Sequence, residues 1–456
     1  MRTFKTTLYG LAGLVLTAGV LAQTPSSAGK AFSFPIKQYT LKNGLRVILS
    51  EDHSAPTVSI DVAYNVGSRN ERAGRTGFAH LFEHMMFQGS ENVGKGEQFI
   101  LVLNNGGGMN GTTNTERTTY FETLPANQVD LGLFLEADRM RSLAITKGNL
   151  DNQRNAVQEE RRQGLDNQPY GKTFEAIGET AYDNFAYKHS VIGSMDDLNA
   201  ASVEDVAAFF KTYYAPNNAV VVLVGDFQSE EALVKIKKYF EAIPSQPAPP
   251  PVDTTEPPQT AERRKTLEDA FAQLTRVDIA YKIPPTNTPD WYAMDMLADI
   301  LGGGQSSVIN QKLVRDKEVA VNAASYASQS RGTCLLQFFV MMRPGKTSEE
   351  AEKMIYEEIE KAKTQPFSDA EIAKAKMGNR RNQIQQMQGT LGRAIFMGDA
   401  AVFFNDPALV YNRVEKYNAV TAADLMRVAK TYLNDTNRTV ITTVPKPKTA
   451  PAKPGQ

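Results

Sequence analysis

The chain is poor in cysteine and histidine, and its positive and negative charges nearly cancel. Its 456 residues include a single cysteine, Cys334, which excludes an intrachain disulfide and a zinc cluster built from cysteine thiolates. A formal net charge of −1 gives no electrostatic reason to expect a nucleic acid partner. The hydrophobic share of 41% and the charged share of 22% are typical of a soluble globular protein, and the length predicts two or more domains.

The N-terminus has the pattern of a secretory signal peptide. Arg2 and Lys5 precede the apolar stretch LYGLAGLVLTAGVLA, which ends in small residues near Ala22. A permanent membrane anchor is the alternative, but the apolar run is short for a span and is interrupted by glycine. We therefore expect residues 1–22 to be a signal peptide and the mature protein to be exported, to a bacterial periplasm or outside the cell. No second segment is long enough to cross a bilayer, so no stable membrane span is expected after cleavage.

Proline divides the remaining chain into two blocks of similar length. Residues 244–261 begin with a proline-rich run that predicts an extended linker, and the Pro/Lys-rich residues 445–456 predict a disordered tail. The blocks 35–243 and 262–444 share two segments in the same order. VSIDVAYNV matches TRVDIAYKI, and SVEDVAAFFKTYYAPNNAVVVLV matches TAADLMRVAKTYLNDTNRTVITTV. Shared propensity or chance are the alternatives, but the kept order and spacing favour an internal duplication of one α+β domain.

All four histidines lie in the first block, and two of them share one turn of a predicted helix. In GFAHLFEHMMFQGS, apolar residues recur at helical spacing, and His80, Glu83 and His84 fall on the opposite side. Residues four apart stack one turn above each other, so both imidazoles can reach one cation, with Glu83 beside a bound water. H-x-x-E-H is the inverted form of a zinc-peptidase helix motif. A solvated helix face with incidental histidines is the alternative, and the scarcity of histidine favours the zinc site. His53 and His189 are expected to be structural or exposed.

No further histidine is identified as a third metal ligand by any motif. The segment LDNQRNAVQEERRQGLDNQPYG supplies carboxylates on a predicted helix, in which Glu159 and Glu160 are adjacent. Neighbours on a helix point about 100° apart, so only one of the two can face the metal. The alternative is an exposed run of ion pairs in EERR, and the residues alone do not choose between the two glutamates.

Seven segments follow one another along the chain in a recognisable order: LKNGLRVIL, NVGSRNERAGRTGFAHLFEHMMFQGS, NGGGMNGTTNTERTTY, RNAVQEERRQGLDNQPYG, SVIGSMDDL, YYAPNNAVVVLVGD and LGGGQSS. Together they resemble the pitrilysin/insulinase family of zinc metallopeptidases, which includes the mitochondrial processing peptidases. The resemblance covers nearly all of the mature chain. It implies an α+β fold of two homologous domains, each a mixed, mostly antiparallel sheet packed with helices as in LuxS and the processing peptidases. It also implies a zinc-dependent endopeptidase that hydrolyses oligopeptides or unfolded segments, with a degenerate second domain.

The family pattern implies roles for particular residues in the first block. His80 and His84 correspond to zinc ligands, Glu83 to the general base and Glu160 to the third ligand, for one zinc ion per chain. The family often has a further glutamate where this chain has Gln153. An amide carries neither a proton nor a charge, so a supporting acid–base role is expected to be weakened or lost at that position.

The substrate side of the implied site is less complete. The strand along which the family lays its substrate corresponds here to the segment with Asn110 and Gly111, where backbone pairing would hold varied peptides. In the second block, Arg315 stands at the family's substrate-binding arginine, but Asn322 stands where a tyrosine is usual. Tyr326 follows four residues later and is expected to face the other way if the segment is a strand. The half of the site that polarises the substrate carbonyl is therefore expected to be incomplete.

Bacterial members of this size often work as pairs of two-domain chains. The resemblance therefore implies that this chain is the zinc-bearing subunit of a heterodimer. A homologous exported partner without the zinc motif would supply an Arg/Tyr pair, and a homodimer is the alternative. A non-catalytic peptide-binding or assembly subunit with a relic zinc site is the second functional hypothesis.

Overall fold

The structure is a computed structural model that describes residues 34–447. The expected signal peptide and most of the expected tail lie outside the described residues. The described chain forms a six-stranded and a five-stranded sheet, both packed with helices, which confirms the predicted α+β class with two mixed sheets. Among these residues no helix combines the length and the apolarity needed to cross a bilayer.

The first sheet has the strand order β1-β2-β6-β3-β5-β4, in which only β2 and β6 pair in parallel, and β4 lies at one edge. Its strands are β1 (Lys37–Thr40), β2 (Arg46–Glu51), β3 (Thr57–Tyr64), β4 (Gly108–Thr113), β5 (Thr118–Pro125) and β6 (Ala219–Gly225). The helices of this half are α1 (Phe78–Met85), α2 (Glu97–Asn104), α3 (Val129–Arg141), α4 (Lys147–Arg161), α5 (Gly171–Ala181), α6 (Phe185–Lys188), α7 (Met195–Asn199), α8 (Val203–Tyr213) and α9 (Ser229–Phe240).

The second sheet has the order β7-β11-β8-β10-β9, in which only β7 and β11 are parallel. Its strands are β7 (Arg263–Asp269), β8 (Arg276–Ile283), β9 (Ala320–Ala327), β10 (Cys334–Met342) and β11 (Arg438–Pro445). The helices are α10 (Pro289–Gly302), α11 (Ser348–Thr364), α12 (Asp369–Met387), α13 (Thr390–Phe404), α14 (Leu409–Ala419) and α15 (Ala422–Tyr432).

The segments that match between the two blocks take equivalent places in the two sheets. VSIDVAYNV contributes β3 and TRVDIAYKI contributes β8, each the strand next to the one that ends its block. The helices α8 and α15 begin with the same capping box, in which Ser202 or Thr421 and the aspartate three residues later satisfy each other's backbone N–H groups. Each helix is followed by a buried strand, β6 or β11, that pairs with β3 or β8.

One helix of each half packs on the sheet of the other half, and these two exchanged helices are α5 and α13. The helix α5 lies against β7, β8 and β11 of the second sheet, where Ile177 packs with Ala280, Leu335 and Ile441. Conversely, α13 lies against β3, β5 and β6 of the first sheet, where its apolar residues pack with buried valines. The covered faces carry apolar residues together with a few buried polar ones, so each half depends on the other to remove apolar surface from water.

The segment between the halves contains no helix or strand over residues 244–260. It is nevertheless fastened to the fold. The carboxylate of Glu256 pairs with Lys282 at 2.6 Å and accepts the backbone N–H groups of Asp183 and Asn184, each at 2.9 Å.

Candidate metal centre

The motif helix α1 begins at a sharply defined point. Gly77 precedes it with a φ of 85°, a left-handed conformation that favours glycine, and a Cβ there would lie 2.6 Å from the carbonyl oxygen of Ile192. The buried carboxylate of Glu71 accepts the N–H groups of Gly77 at 2.9 Å and Ala79 at 2.8 Å. A carboxylate at a helix N-terminus satisfies otherwise unpaired N–H groups and interacts favourably with the helix dipole. The apolar face of α1 is buried as its periodicity predicted: Phe78, Leu81, Phe82 and Met85.

Three side chains from α1 and α4 converge beside the first sheet. Oε2 of Glu160 lies 3.7 Å from Nε2 of His80 and 3.4 Å from Nε2 of His84. One ligand atom of each residue lies within 4.8 Å of those of the other two. The neighbouring Glu159 points elsewhere and interacts with Arg162 and Gln163 on the exposed side of the helix. Of the two adjacent glutamates, only Glu160 therefore faces the histidines.

Gln153 orients one of the histidines. Its Oε1 lies 3.3 Å from Nδ1 of His84, while its Nε2 donates to Oδ1 of Asn152 at 2.7 Å. Because the amide nitrogen is directed to Asn152, the amide oxygen faces His84 and accepts a hydrogen bond from its Nδ1–H. Nε2 of His84 is then left with the lone pair that a metal ligand needs. The amide at this position therefore still orients a histidine, although it carries no charge.

The donor set fits a zinc ion. Two imidazole nitrogens and one carboxylate oxygen form a ligand set found in catalytic zinc sites. Burial lowers the pKa of His80 to about 4, and the neighbouring His84 acts in the same direction, so His80 is neutral near pH 7, as a metal ligand must be. Among the described residues, no other group of three or more His, Cys, Asp or Glu side chains is close enough to hold a metal ion.

Glu83 lies between the two histidines in sequence and faces the edge strand β4. Burial raises its pKa, and the side chain of Thr113 partly opposes this shift. Its Oε2 is buried and has no hydrogen-bond partner among the described residues. A Cβ on Gly111 would lie 3.2 Å from Cγ of Glu83 and 3.1 Å from Cδ1 of Tyr120. The missing side chain of Gly111 therefore makes room for the glutamate.

The strand β4 pairs with β5 on one side only, and no other strand of the described chain pairs with its outer edge. Asn110 is exposed there, and its Oδ1 accepts the N–H of Gly111 at 2.9 Å. Two of the three residues predicted to bind substrate thus lie on this edge, where a Cβ on Gly111 would meet the side chain of Glu83.

A buried carboxylate ties the β4–β5 hairpin to the second half. Glu116, in the turn of the hairpin, pairs with Nε of Arg331 at 2.7 Å and Nε of Arg69 at 3.1 Å. It also accepts the hydroxyl of Tyr187 at 2.8 Å. Arg331 belongs to the β9–β10 turn of the second half, so the two equivalent hairpins meet at Glu116.

The exchanged helix α13 holds the same hairpin from its other face. Nε of Arg117 donates to Asp399 at 2.6 Å, while its Nη1 donates to the carbonyl and the hydroxyl oxygen of Thr112, at 2.9 and 2.7 Å. One guanidinium therefore links α13 to the backbone of β4.

His189 supports the start of α1 from behind. Its Nε2 lies 3.0 Å from the carboxylate of Glu71, and its Nδ1 lies 2.8 Å from the carbonyl oxygen of Phe185. An ionised carboxylate and a carbonyl oxygen can only accept hydrogen bonds, so these two contacts favour the imidazolium form of the ring. Burial opposes that charge, but the Glu71 carboxylate and the carbonyl groups raise the pKa of His189 above its usual value.

The second half carries Arg315, which was predicted to bind substrate, and Asn322, which stands where the family has tyrosine. Arg315 is exposed on the π-helical segment Asn310–Asp316 and makes no hydrogen bond or ion pair with the described residues. The expectation that Tyr326 faces away from the position of Asn322 is wrong. Both residues are exposed on β9, where they pair with Gln337 and Met341 without an intervening bulge. Side chains alternate along a strand, so residues four apart share a face.

The residues that support the site could not be identified from the sequence. Glu71, Glu116 and Arg331 are single polar residues outside any periodic pattern, and nothing in the neighbouring sequence indicates that they are buried. Only the fold shows that each is removed from water and paired.

Two family models match the chain. The insulinase (peptidase family M16) model matches residues 46–194, which include the whole metal group, and the peptidase M16 inactive domain model matches residues 200–379.

Similar proteins cover most of the chain. The zinc protease PqqE of Helicobacter pylori is 32% identical over 405 residues, which cover 88% of this chain and 91% of that one. The crystal structure of a protease from Helicobacter pylori superposes with a TM-score of 0.86 at 32% identity and covers 91% of this chain and 100% of its own. The probable mitochondrial-processing peptidase subunit beta of Arabidopsis thaliana is 24% identical over 407 residues, which cover 87% of this chain and 76% of that one.

Proposed function

The chain belongs to the insulinase (M16) family of peptidases, and we propose that it is a zinc-dependent endopeptidase acting on oligopeptides or unfolded polypeptide segments. The observation that carries the proposal is the convergence of ligand atoms from His80, His84 and Glu160. Glu83 lies beside them, next to a sheet edge that has no partner strand among the described residues. The relative named as a zinc protease supports the same activity.

His80, His84 and Glu160 would hold one zinc ion. When bound, zinc lowers the pKa of a water molecule and polarises the carbonyl of the scissile peptide bond. The hydrogen bond between Gln153 and His84 would keep that imidazole in the tautomer that binds metal.

Glu83 would act as the general base and then as the general acid. It would take a proton from the attacking water and deliver it to the leaving amine. The raised pKa that burial gives this carboxylate brings it closer to the neutral range, where proton transfer in both directions is efficient. Its unpartnered Oε2 supports this role, because no described residue competes for that oxygen.

The edge of β4 would bind the substrate as an additional strand. Backbone hydrogen bonds do not depend on side-chain identity, so such an edge accepts peptides of varied sequence. In the structure the side chain of Asn110 satisfies the N–H of Gly111. A substrate carbonyl would take its place, and the Asn110 amide would become available to the peptide.

The full enzyme would be an exported heterodimer in which this chain bears the zinc. Arg315 is exposed, and Asn322 stands on β9 where the family pattern has tyrosine, so a homologous chain with the Arg/Tyr pair would complete the carbonyl-binding side. The same two observations favour a second candidate function, a non-catalytic peptide-binding or assembly subunit with a relic zinc site.

Zinc content and peptide hydrolysis together test the proposal. Atomic absorption should find one zinc per chain, and a quenched fluorescent peptide should be cleaved by the chain with a homologous, motif-free partner. Glu83→Gln should keep the zinc and lose hydrolysis. Bound zinc without hydrolysis in the presence of the partner would establish the second candidate, and full activity of a homodimer would contradict the heterodimer.

A further inference from the structure

The second half contains a polar cavity of about 190 Å³ in the place that corresponds to the metal centre. It lies between α10 and α12, as the metal group lies between α1 and α4. The helix α10 follows β8 as α1 follows β3, and α12 precedes the exchanged helix α13 as α4 precedes the exchanged helix α5. The duplicated fold therefore brings the same pairs of helices together twice.

The side chains on α10 repeat the spacing of the zinc motif with different chemistry. Asp295 and Asp299 are four residues apart, as His80 and His84 are, and both line the cavity. Ala298 occupies the place that Glu83 has between the histidines. The second cavity therefore keeps two side chains that can hold a ligand but has no carboxylate at the position of Glu83.

The partner helix α12 repeats the supporting contact. Nδ2 of Asn379 donates to Oδ2 of Asp299 at 3.0 Å, as the amide of Gln153 contacts His84. Gln386, seven residues after Asn379, also lines the cavity, and Glu160 follows Gln153 by the same interval. An amide thus stands where the first half has its third ligand.

Two opposite charges line this cavity without pairing with each other. Arg413 makes no hydrogen bond or ion pair with any described residue; its guanidinium lies over the rings of Trp291, Phe396 and Tyr417, at 5.2, 5.8 and 5.9 Å from their centroids. Asp299 has no cationic partner in the described chain, and burial together with the neighbouring Asp295 raises its pKa to about 6. Both side chains are half-buried, and partly desolvated charges without ion-pair partners are costly. A ligand that supplies both counter-charges would reduce that cost.

The charged side chains that line the cavity indicate which class of ligand it can bind. A divalent cation is disfavoured because Arg413 faces the same space, and because one oxygen of Asp295 already accepts the hydroxyl of Tyr417 at 2.5 Å. A simple anion is disfavoured by the two aspartates. We propose that the cavity binds a small zwitterion, a free amino acid or a dipeptide, with its ammonium group on Asp299 and its carboxylate on Arg413. The amides of α12 supply further donors and acceptors: Asn379, Asn382, Gln383 and Gln386.

This proposal does not depend on peptidase activity, and a binding measurement tests it. Calorimetric titration of the full chain uses alanine and alanyl-alanine as probes, and the tighter of the two identifies the source of the zwitterion. N-acetylalanine lacks the ammonium group and alaninamide lacks the carboxylate. Each should bind at least about tenfold more weakly than alanine, because each leaves one half-buried charge of the cavity without a counter-charge.

Matched variants locate the binding. Asp299→Asn and Arg413→Met should each weaken binding at least about tenfold. Arg380→Met, an exposed arginine of α12 outside the cavity lining, and His84→Ala in the metal group should leave binding unchanged. The proposal is overturned if neither probe binds at about 10 mM. It is also overturned if both charge-deleted analogues bind as well as alanine, or if binding is lost in His84→Ala and kept in the cavity variants. N-acetylalanine and alaninamide are titrated into the unaltered protein, so the proposal can still be tested if a variant fails to fold.

Discussion

The first half of the molecule presents two histidines and a glutamate from α1, whereas the second half presents two aspartates and an alanine from the corresponding turns of α10. The strands beneath both helices, the adjacent helix and the supporting amide are alike. The comparison teaches that the duplicated scaffold sets where side chains meet, while a few substitutions set which chemistry they can perform. It also shows that the halves are not independent, because Arg331 of the second half holds Glu116 of the first.

The largest effect is expected when the first half receives the side chains of the second. His80→Asp combined with His84→Asp removes both imidazole nitrogens, and carboxylates are poorer ligands for zinc than the imidazoles they replace. We expect the double variant to lose its zinc and all zinc-dependent hydrolysis. Zinc per chain, measured after dialysis, checks this, and Asp295→Asn with Asp299→Asn serves as the control. Retention of zinc at the wild-type level would show that the metal is held elsewhere.

The next effect concerns the contact between the halves. Arg331→Met should lower the free energy of unfolding by about 1.5–3 kcal/mol, because a buried carboxylate loses a charged partner while Arg69 remains. It should also raise KM for peptides more than it lowers kcat, since the β4 edge is displaced and Glu83 is not. Urea denaturation and peptide kinetics measure both, with Arg380→Met as the exposed control. Unchanged values of both quantities would make the hairpin independent of the second half.

The supporting amides provide a matched pair of variants. Gln153→Ala should weaken zinc binding about 10–100-fold, because the orienting partner of His84 is lost. Gln153→Glu should strengthen it, since a carboxylate raises the basicity of the ligand histidine. Asn379→Ala, the equivalent change in the second half, should leave zinc affinity unchanged. Competition with a chelating dye measures all three, and equal effects of the two alanine variants would contradict the assigned role of Gln153.

The smallest effect is a pH dependence confined to the first half. The folded-state pKa of His189 lies above its ordinary value of 6.5, so its ion pair with Glu71 stabilises the protein fully below that value. This contribution is lost as pH rises through the folded-state pKa. The pKa of Glu71, raised by burial, acts in the same direction. Melting temperatures between about pH 6 and pH 9 should therefore fall more for the wild type than for His189→Gln. If the melting temperatures of the two proteins change equally with pH, the His189 imidazolium does not contribute to stability.

Local sequence patterns were sufficient to predict much of the metal-centre helix. The spacing of Phe78, Leu81, Phe82 and Met85 sets which face of α1 is buried, so it also sets that the histidines and Glu83 lie opposite. The 100° between helix neighbours predicts that only one of Glu159 and Glu160 can face the metal. Choosing Glu160 needed the family resemblance, because both residues fit an exposed helix face.

Contacts between distant parts of the chain could not be predicted in the same way. An apolar face shows that α5 or α13 is buried, but it does not show which sheet covers it. The burial of Glu71 and Glu116 depends on several loops that meet only in the folded molecule. The error over Tyr326 was one of periodicity, since a strand repeats every two residues and an interval of four preserves the face.

The exchange of α5 and α13 has a consequence for the order in which the protein is made. The ribosome synthesises the zinc motif more than three hundred residues before it reaches Asp399. Asp399 lies on α13 and is the partner of Arg117. Until then the first sheet lacks one cover and the β4–β5 hairpin lacks one of its anchors. The growing chain therefore carries the side chains of the candidate metal centre long before it can assemble the sheet edge beside them. The architecture thus delays the finished site until synthesis is nearly complete.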